Sequence, residues 1–261
     1  MTLLDFCLVT IVPFLASILT FFSGFGLGTI LLPVFMVLFP IEIAVAMTAL
    51  VHLLNNIFKL FLVGKKADVP VTLKFGVPAL FAALIGAWCL SFLSYQIPIF
   101  TYSLKGQSYQ VGFLQLVIGA VMIFFALMEL VPRFLKWTVD RKYLSLGGLL
   151  SGFFGGLSGH QGAFRSAFLL KAGLSKEAFI ATGVIVACVI DLVRLFVYGF
   201  GISFSLIINQ HLMLLSLAIV SAWAGAWIGR KTLHMATFSA VRWVVGISLM
   251  IFGILIAAGI V

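Results

Sequence analysis

The sequence predicts an all-α polytopic membrane protein built from two inverted structural repeats, each a glycine-broken helical hairpin followed by three transmembrane helices. Three observations lead there. Of 261 residues, 63% are hydrophobic and only 9% are charged, against roughly 25% charged in a soluble domain, so a water-facing surface cannot be built from this composition. The apolar runs have the lengths of membrane spans. Glycine-rich breaks recur at corresponding places in the two halves.

The apolar runs fall at 3–22, 25–39, 43–63, 71–93, 111–130, 143–157, 161–172, 176–200, 211–229 and 240–261. A spanning helix needs about 20 residues. The runs 43–63, 71–93, 111–130, 176–200, 211–229 and 240–261 meet that length. The others form two pairs, 3–22 with 25–39 and 143–157 with 161–172. Gly24, Gly26 and Gly28 break the first pair; Gly155, Gly156, Gly159 and Gly162 break the second. At 1.5 Å per residue the short members reach about 22 and 18 Å, less than a hydrocarbon core of about 30 Å. Each pair therefore reads as a hairpin folding back within the membrane. Irregular backbone at that depth must be buried in protein or line a wet cavity, so the breaks are expected to face a cavity. The alternative, a tight turn at the membrane surface, suits the first pair better because 3–22 is long enough to cross.

The first run opens MTLLDFCLVT, with Asp5 and no basic residue before it, which argues against a cleaved signal peptide. Cys7, Cys89 and Cys188 stand alone in apolar runs, so no disulfide or zinc framework is expected. The net charge of +9 resides mainly in short loops, and topology explains it better than nucleic-acid binding. Lys59, Lys65, Lys66 and Lys74 flank one loop, and Arg133, Lys136, Arg141 and Lys142 another. Lys171 and Lys176 bracket a third, and Arg230, Lys231 and Arg242 a fourth. All four can share one face, leaving Lys105 in an opposite loop and Arg194 near the outer end of its helix. By the positive-inside rule these basic loops are cytoplasmic, with both termini outside, in a cell (inner) membrane.

The halves, 1–136 and 137–261, match each other. Ser23-Gly24 aligns with Ser158-Gly159, Glu42 with Glu177, Asn56 with Asp191 and Lys59 with Arg194, all at one offset. With a one-residue slip, Gly28 meets Gly162 and Thr48 meets Thr182; further on, Gly86-Ala87-Trp88 meets Gly225-Ala226-Trp227. Such weak internal similarity is usual in transporters with inverted repeats, which hold substrate between their halves. Chance likeness among small-residue helices is the alternative.

The second tip, Ser158-Gly159-His160-Gln161-Gly162, opens a half-helix carrying Arg165 one turn on. The first N–H groups of a helix lack intrahelical partners and bear partial positive charge. With Arg165, His160, Gln161 and Ser158 they outline an anion site. Arg165 as structural glue, paired with Asp191 or a tip carbonyl, is the alternative. The first tip offers Gly26, Gly28 and Thr29 but no charge. Helix 43–63 carries Thr48, His52, Asn55 or Asn56, and Lys59 in one polar stripe, which should face the cavity; Lys59 is expected to snorkel to the surface. Helix 176–200 carries Asp191, Arg194 and Tyr198, with Asp191 and Arg194 spaced to pair. Asp191 and His160 are the candidates for coupling to protons. Glu42 and Glu177 sit at helix starts, where a carboxylate is favoured. No metal-binding or hydrolase motif is present, so neither an enzyme nor a cofactor is expected.

The run GFGLGTILLPVFMVLFPIEIAVAMTALVHLL at 24–54 resembles the first repeat motif of the TauE/SafE family, and SGFFGGLSGHQGAFRSAFLLKAGLSKEAFIATGVIVA at 151–187 resembles its second. The resemblance spans most of the chain. It implies export of small sulfur-containing anions, such as sulfite or organosulfonates, without a cofactor. The Gly159-His160-Gln161-Gly162 variant, and Ser166-Ala167 where the family often has Leu-Pro, suggest a specialised subgroup. The expected partners are a small anionic substrate, the lipid bilayer and a second copy of the chain in a homodimer, with no nucleic acid. The rival readings are a passive anion channel, a membrane assembly factor and, least supported, an enzyme.

Overall fold

The computed structural model describes residues 3–23, 26–93, 98–135, 139–201, 204–231 and 238–260. Gly24 and Phe25 of the first break and Lys136 of a basic loop lie outside the described residues. The helices are α1 (Leu3–Ser23), α2 (Leu27–Leu38), α3 (Ile41–Val63), α4 (Val69–Leu93), α5 (Phe113–Leu130), α6 (Pro132–Leu135), α7 (Leu144–Ser158), α8 (Gly162–Leu169), α9 (Lys176–Gly201), α10 (Phe204–Lys231) and α11 (Phe238–Ala257). Among the described residues, 6 helices are long and apolar enough to cross a membrane, and the chain is a multi-pass membrane protein.

Local chemistry sets several boundaries. Asp68 Oδ1 accepts from Val71 N (2.9 Å) and Ser175 Oγ accepts from Ala178 N (3.2 Å), so side-chain oxygens cap the first turns of α4 and α9. Pro40 stands directly before α3, and Glu42 and Glu177 fall in the first turns of α3 and α9, as expected from the helix dipole. The loop between α4 and α5 folds into a two-stranded antiparallel hairpin, β1 (Pro98–Leu104) and β2 (Gln107–Gly112). Lys105 (φ 52) and Gly106 (φ 81) make its turn, matching the positive angles of a type I′ turn. Tyr102 donates to Ala258 O (2.6 Å), which pins the hairpin to the end of α11.

Both glycine-broken pairs fold back. In the second, Val139 N, just ahead of α7, donates to Ala167 O near the end of α8 (3.3 Å). The pair therefore begins and finishes at one end of the bundle. Ser145 Oγ donates to Lys74 O (3.3 Å), placing the start of α4 at that same end. In the first pair, α1 runs parallel to α10, with Phe14 and Ile18 beside Gly225 and Gly229. Phe39, just after α2, meets His211 near the start of α10 edge-on, with ring centroids 4.7 Å apart. So α1 begins, and α2 finishes, at the start of α10. Arg230, near the end of α10, lines one cavity with Lys65, Lys66 and Lys176. This puts α10 antiparallel to α4 and the two broken pairs at opposite ends. At 12 residues, α2 reaches only about 18 Å, a length that suits a hairpin folding back better than a full crossing.

Helix packing follows an exchange pattern. α4 lies along α7 as α10 lies along α1, while α5 packs on α11 and α3 on α9. Gly86 of α4 abuts the Phe153 carbonyl of α7, and its sequence match Gly225 of α10 abuts the Phe14 carbonyl of α1. On α7, Gly148, Gly152 and Gly156 face the carbonyls of Phe75, Ala79 and Ala83. A β-carbon at any of the three would overlap backbone, so the one-turn glycine spacing lets the two helices touch along their length.

Candidate functional site

The two hairpin tips converge on the crossing of α3 and α9. Gly26 (φ +106) and Gly159 (φ +82) end the broken segments in left-handed backbone, a region open to glycine without strain. A β-carbon at Gly28 would stand 3.6 Å from His52 Cδ2, and one at Gly159 would stand 2.7 Å from Arg194 Nη1. The first tip thus rests on α3 and the second on α9. Ser151 Oγ donates to Gln161 O (2.8 Å) and holds the second tip against α7.

At the crossing, Asp191 gathers ligands from three elements. His52 Nδ1 donates to Asp191 Oδ2 at 2.6 Å, joining α3 to α9. Arg194 Nε donates to Asp191 Oδ1 (3.0 Å), and its Nη2 lies 2.8 Å from the same oxygen. Gln161 Nε2 donates to Asp191 Oδ1 at 3.4 Å, and Arg165 Nη1 donates to Gln161 Oε1 at 3.2 Å. With the His52 proton on Nδ1, Nε2 is free to accept from Asn56 Nδ2 (3.3 Å). With its amide turned so that each end meets a complementary partner, Asn55 accepts from Lys59 Nζ (3.3 Å) and donates to Ala222 O (3.1 Å). Tyr198 donates to Gly156 O and ties α9 to α7.

The site residues named from sequence thus come together, in unequal roles. His52, Asn55, Asn56, His160, Gln161 and Arg165 are all buried. The Ser158 hydroxyl donates to Phe154 O (3.1 Å) and lies 2.9 Å from His160 Nδ1. His160 stacks on Phe125, with centroids 5.5 Å apart. Thr29 of the first tip and His160, Gly162 and Ala163 of the second line one small cavity of about 10 Å³, room for about one water. The breaks were expected to face a wet cavity; they face each other across a nearly closed gap, which Phe125, Glu129, Val245 and Leu249 complete.

Two basic residues depart from expectation. Lys59 does not snorkel: it is 5% exposed, its ammonium 5.6 Å over the Phe21 ring. Arg194, expected near the outer end of its helix, is 0% exposed, wedged between Asp191 and Gly159. The pairing of Asp191 with Arg194 is as expected from their spacing. The His52–Asp191 link was not legible, since spacing within a helix says nothing about a partner on another one. Glu129 of α5 also went unmarked; it pairs with Arg242 of α11 at 2.8 Å and lines the small cavity between the tips.

The resulting charge is lopsided. Apart from the Glu129–Arg242 pair, the buried ionisable side chains among the described residues are Lys59, Arg165 and Arg194 against Asp191, with His52 and His160 beside them. Arg194 Nη1, His160 Nε2 and Thr48 Oγ1 are buried without a hydrogen-bond partner. Buried polar atoms are nearly always satisfied, and ionisable groups at membrane depth mark binding or transport routes. A cluster with surplus cations and idle donors, enclosed by two half-helix tips, is suited to a small anion.

No curated protein and no solved structure matches the chain. One family model does, over residues 9–256, under the description "Sulfite exporter TauE/SafE", and on that match the chain belongs to the TauE/SafE sulfite exporter family.

Proposed function

We propose that the protein exports small sulfur-containing or related anions across the inner membrane of a prokaryote by alternating access. One observation carries this reading: Arg165 and Arg194 are buried beside a single carboxylate, Asp191, where the two tips meet, with Lys59 buried further along α3. An anion seated there would balance the surplus charge and occupy the idle Nη1 donor of Arg194. The family description, sulfite exporter, agrees with that chemistry.

In this reading 1–136 and 137–261 are inverted repeats, and the exchange pattern of helix packing supports them. Their relative rocking would expose the site to each side in turn. The basic loops are cytoplasmic and both termini outside, consistent with the positive-inside rule. Arg165 and the tip backbone at Gly26, Gly28, Gly159 and Gly162 hold the anion; His160, Gln161, His52, Asn55, Asn56, Ser158 and Thr29 tune selection. Asp191 and His160 are the groups through which protons would couple. The near-closed gap between the tips favours a transporter over an open anion channel, since a channel needs a continuous wet path.

The test is sulfite flux in proteoliposomes. Arg165→Ala and His160→Ala should each abolish flux while the purified proteins remain folded and monodisperse. Undiminished flux in both variants would remove the site assignment. Uphill accumulation driven by an imposed proton gradient would separate coupled transport from passive conduction.

A further inference from the structure

A second, larger cavity of about 510 Å³ opens at the basic end of the bundle. Lys65 and Lys66 from the turn after α3, Lys176 at the start of α9 and Arg230 near the end of α10 line it, with Glu177 as the one carboxylate. All five are exposed, so their charges act on the cavity rather than on each other: no ion pair joins them among the described residues. Phe21, 1% exposed, lies along its wall. The same ring carries Lys59 Nζ at 5.6 Å, and Lys59 does not itself border the cavity. Phe21 therefore stands between the basic cavity and the first buried cation of the polar stripe on α3. Beyond Lys59 the stripe runs on through Asn55 and His52 to Asp191.

We propose that this cavity is an anion-collecting vestibule, a separate binding station for small oxyanions, closed from the central site by Phe21 and continued by Lys59. The proposal rests on the anion-transport reading for its purpose but not for its test. A concave surface lined by one sign of charge concentrates counter-ions by about 10- to 1000-fold, and at 1 M salt the screening length falls to about 3 Å.

The test uses a single cysteine at the vestibule wall, Val63→Cys, with Cys7→Ser, Cys89→Ala and Cys188→Ala, in purified full-length protein in an uncharged detergent. Two methanethiosulfonate reagents serve as probes, one bearing a sulfonate and one a trimethylammonium group. Each labelling rate is divided by that reagent's rate with 2-mercaptoethanol. The vestibule predicts that the anionic reagent is favoured by about tenfold or more at low salt. That preference should collapse toward unity in Lys65→Gln/Lys176→Gln and at 1 M salt. Equal normalised rates, or a preference untouched by the glutamines, would overturn it. Leu62→Cys replaces Val63→Cys if the latter fails to fold. Labelling needs no transport, so a protein that moves no sulfite would defeat the functional reading while leaving this result to stand or fall alone.

Discussion

Asp191 holds His52 from α3, Gln161 from the second tip and Arg194 from its own helix. One carboxylate thus fixes the crossing on which both tips rest. Removing its charge leaves the Arg194 guanidinium buried without compensation, and breaking a buried pair from one side costs about 3–5 kcal/mol. Asp191→Asn should therefore lower the thermal unfolding midpoint of the detergent-purified protein clearly, and a midpoint equal to the parent's would contradict the structural part of the role. Much of this was legible in the sequence, because His52, Asn55, Asn56, Asp191 and Arg194 stand out as polar residues in apolar helices. Their mutual contacts were not, because pairing across helices depends on which faces meet. Lys59 shows the same limit: its place along α3 suggests an end residue, yet α1 and α10 cover it.

At the scale of elements, the glycines do two separate jobs. Gly159 and Gly26 allow left-handed turns at the tips, whereas Gly148, Gly152 and Gly156 remove side chains from the α4–α7 contact. A side chain at Gly152 would meet the Ala79 carbonyl, and neither backbone can yield easily. Overpacking of this kind costs about 1–3 kcal/mol or more. Gly152→Leu should reduce the yield of monodisperse protein and the unfolding midpoint, while Gly199→Ala, where nothing lies within 4 Å, should leave both unchanged. Equal behaviour of the two variants would mean that the α4–α7 contact is not a tight one. The broken pairs and the long helices were readable because hydropathy and helix length are tied directly to bilayer thickness. The β-hairpin was not anticipated: Lys105-Gly106 lacks the asparagine or aspartate that usually announces a type I′ turn.

For the whole molecule, the weak internal match in sequence has a physical counterpart. Gly86 with Phe153 and Gly225 with Phe14 are the same contact made twice, once for each hairpin. The polar equivalents differ: Asn56 and Lys59 in the first half stand where Asp191 and Arg194 stand in the second. In the proposed repeat reading, the matching positions carry one carboxylate and unequal cations, and the surplus positive charge is the feature on which the functional reading depends. The most direct test is anion binding by the purified protein, followed by thermal unfolding with sulfite, sulfate, sulfonates, carboxylates and halides, each as the sodium salt at constant ionic strength. A ligand at 100 times its dissociation constant adds about 2.7 kcal/mol of stability. The account predicts that a small oxyanion raises the unfolding midpoint of the parent and not that of Arg165→Ala. Stabilisation by no anion, or equal stabilisation of Arg165→Ala, would contradict it.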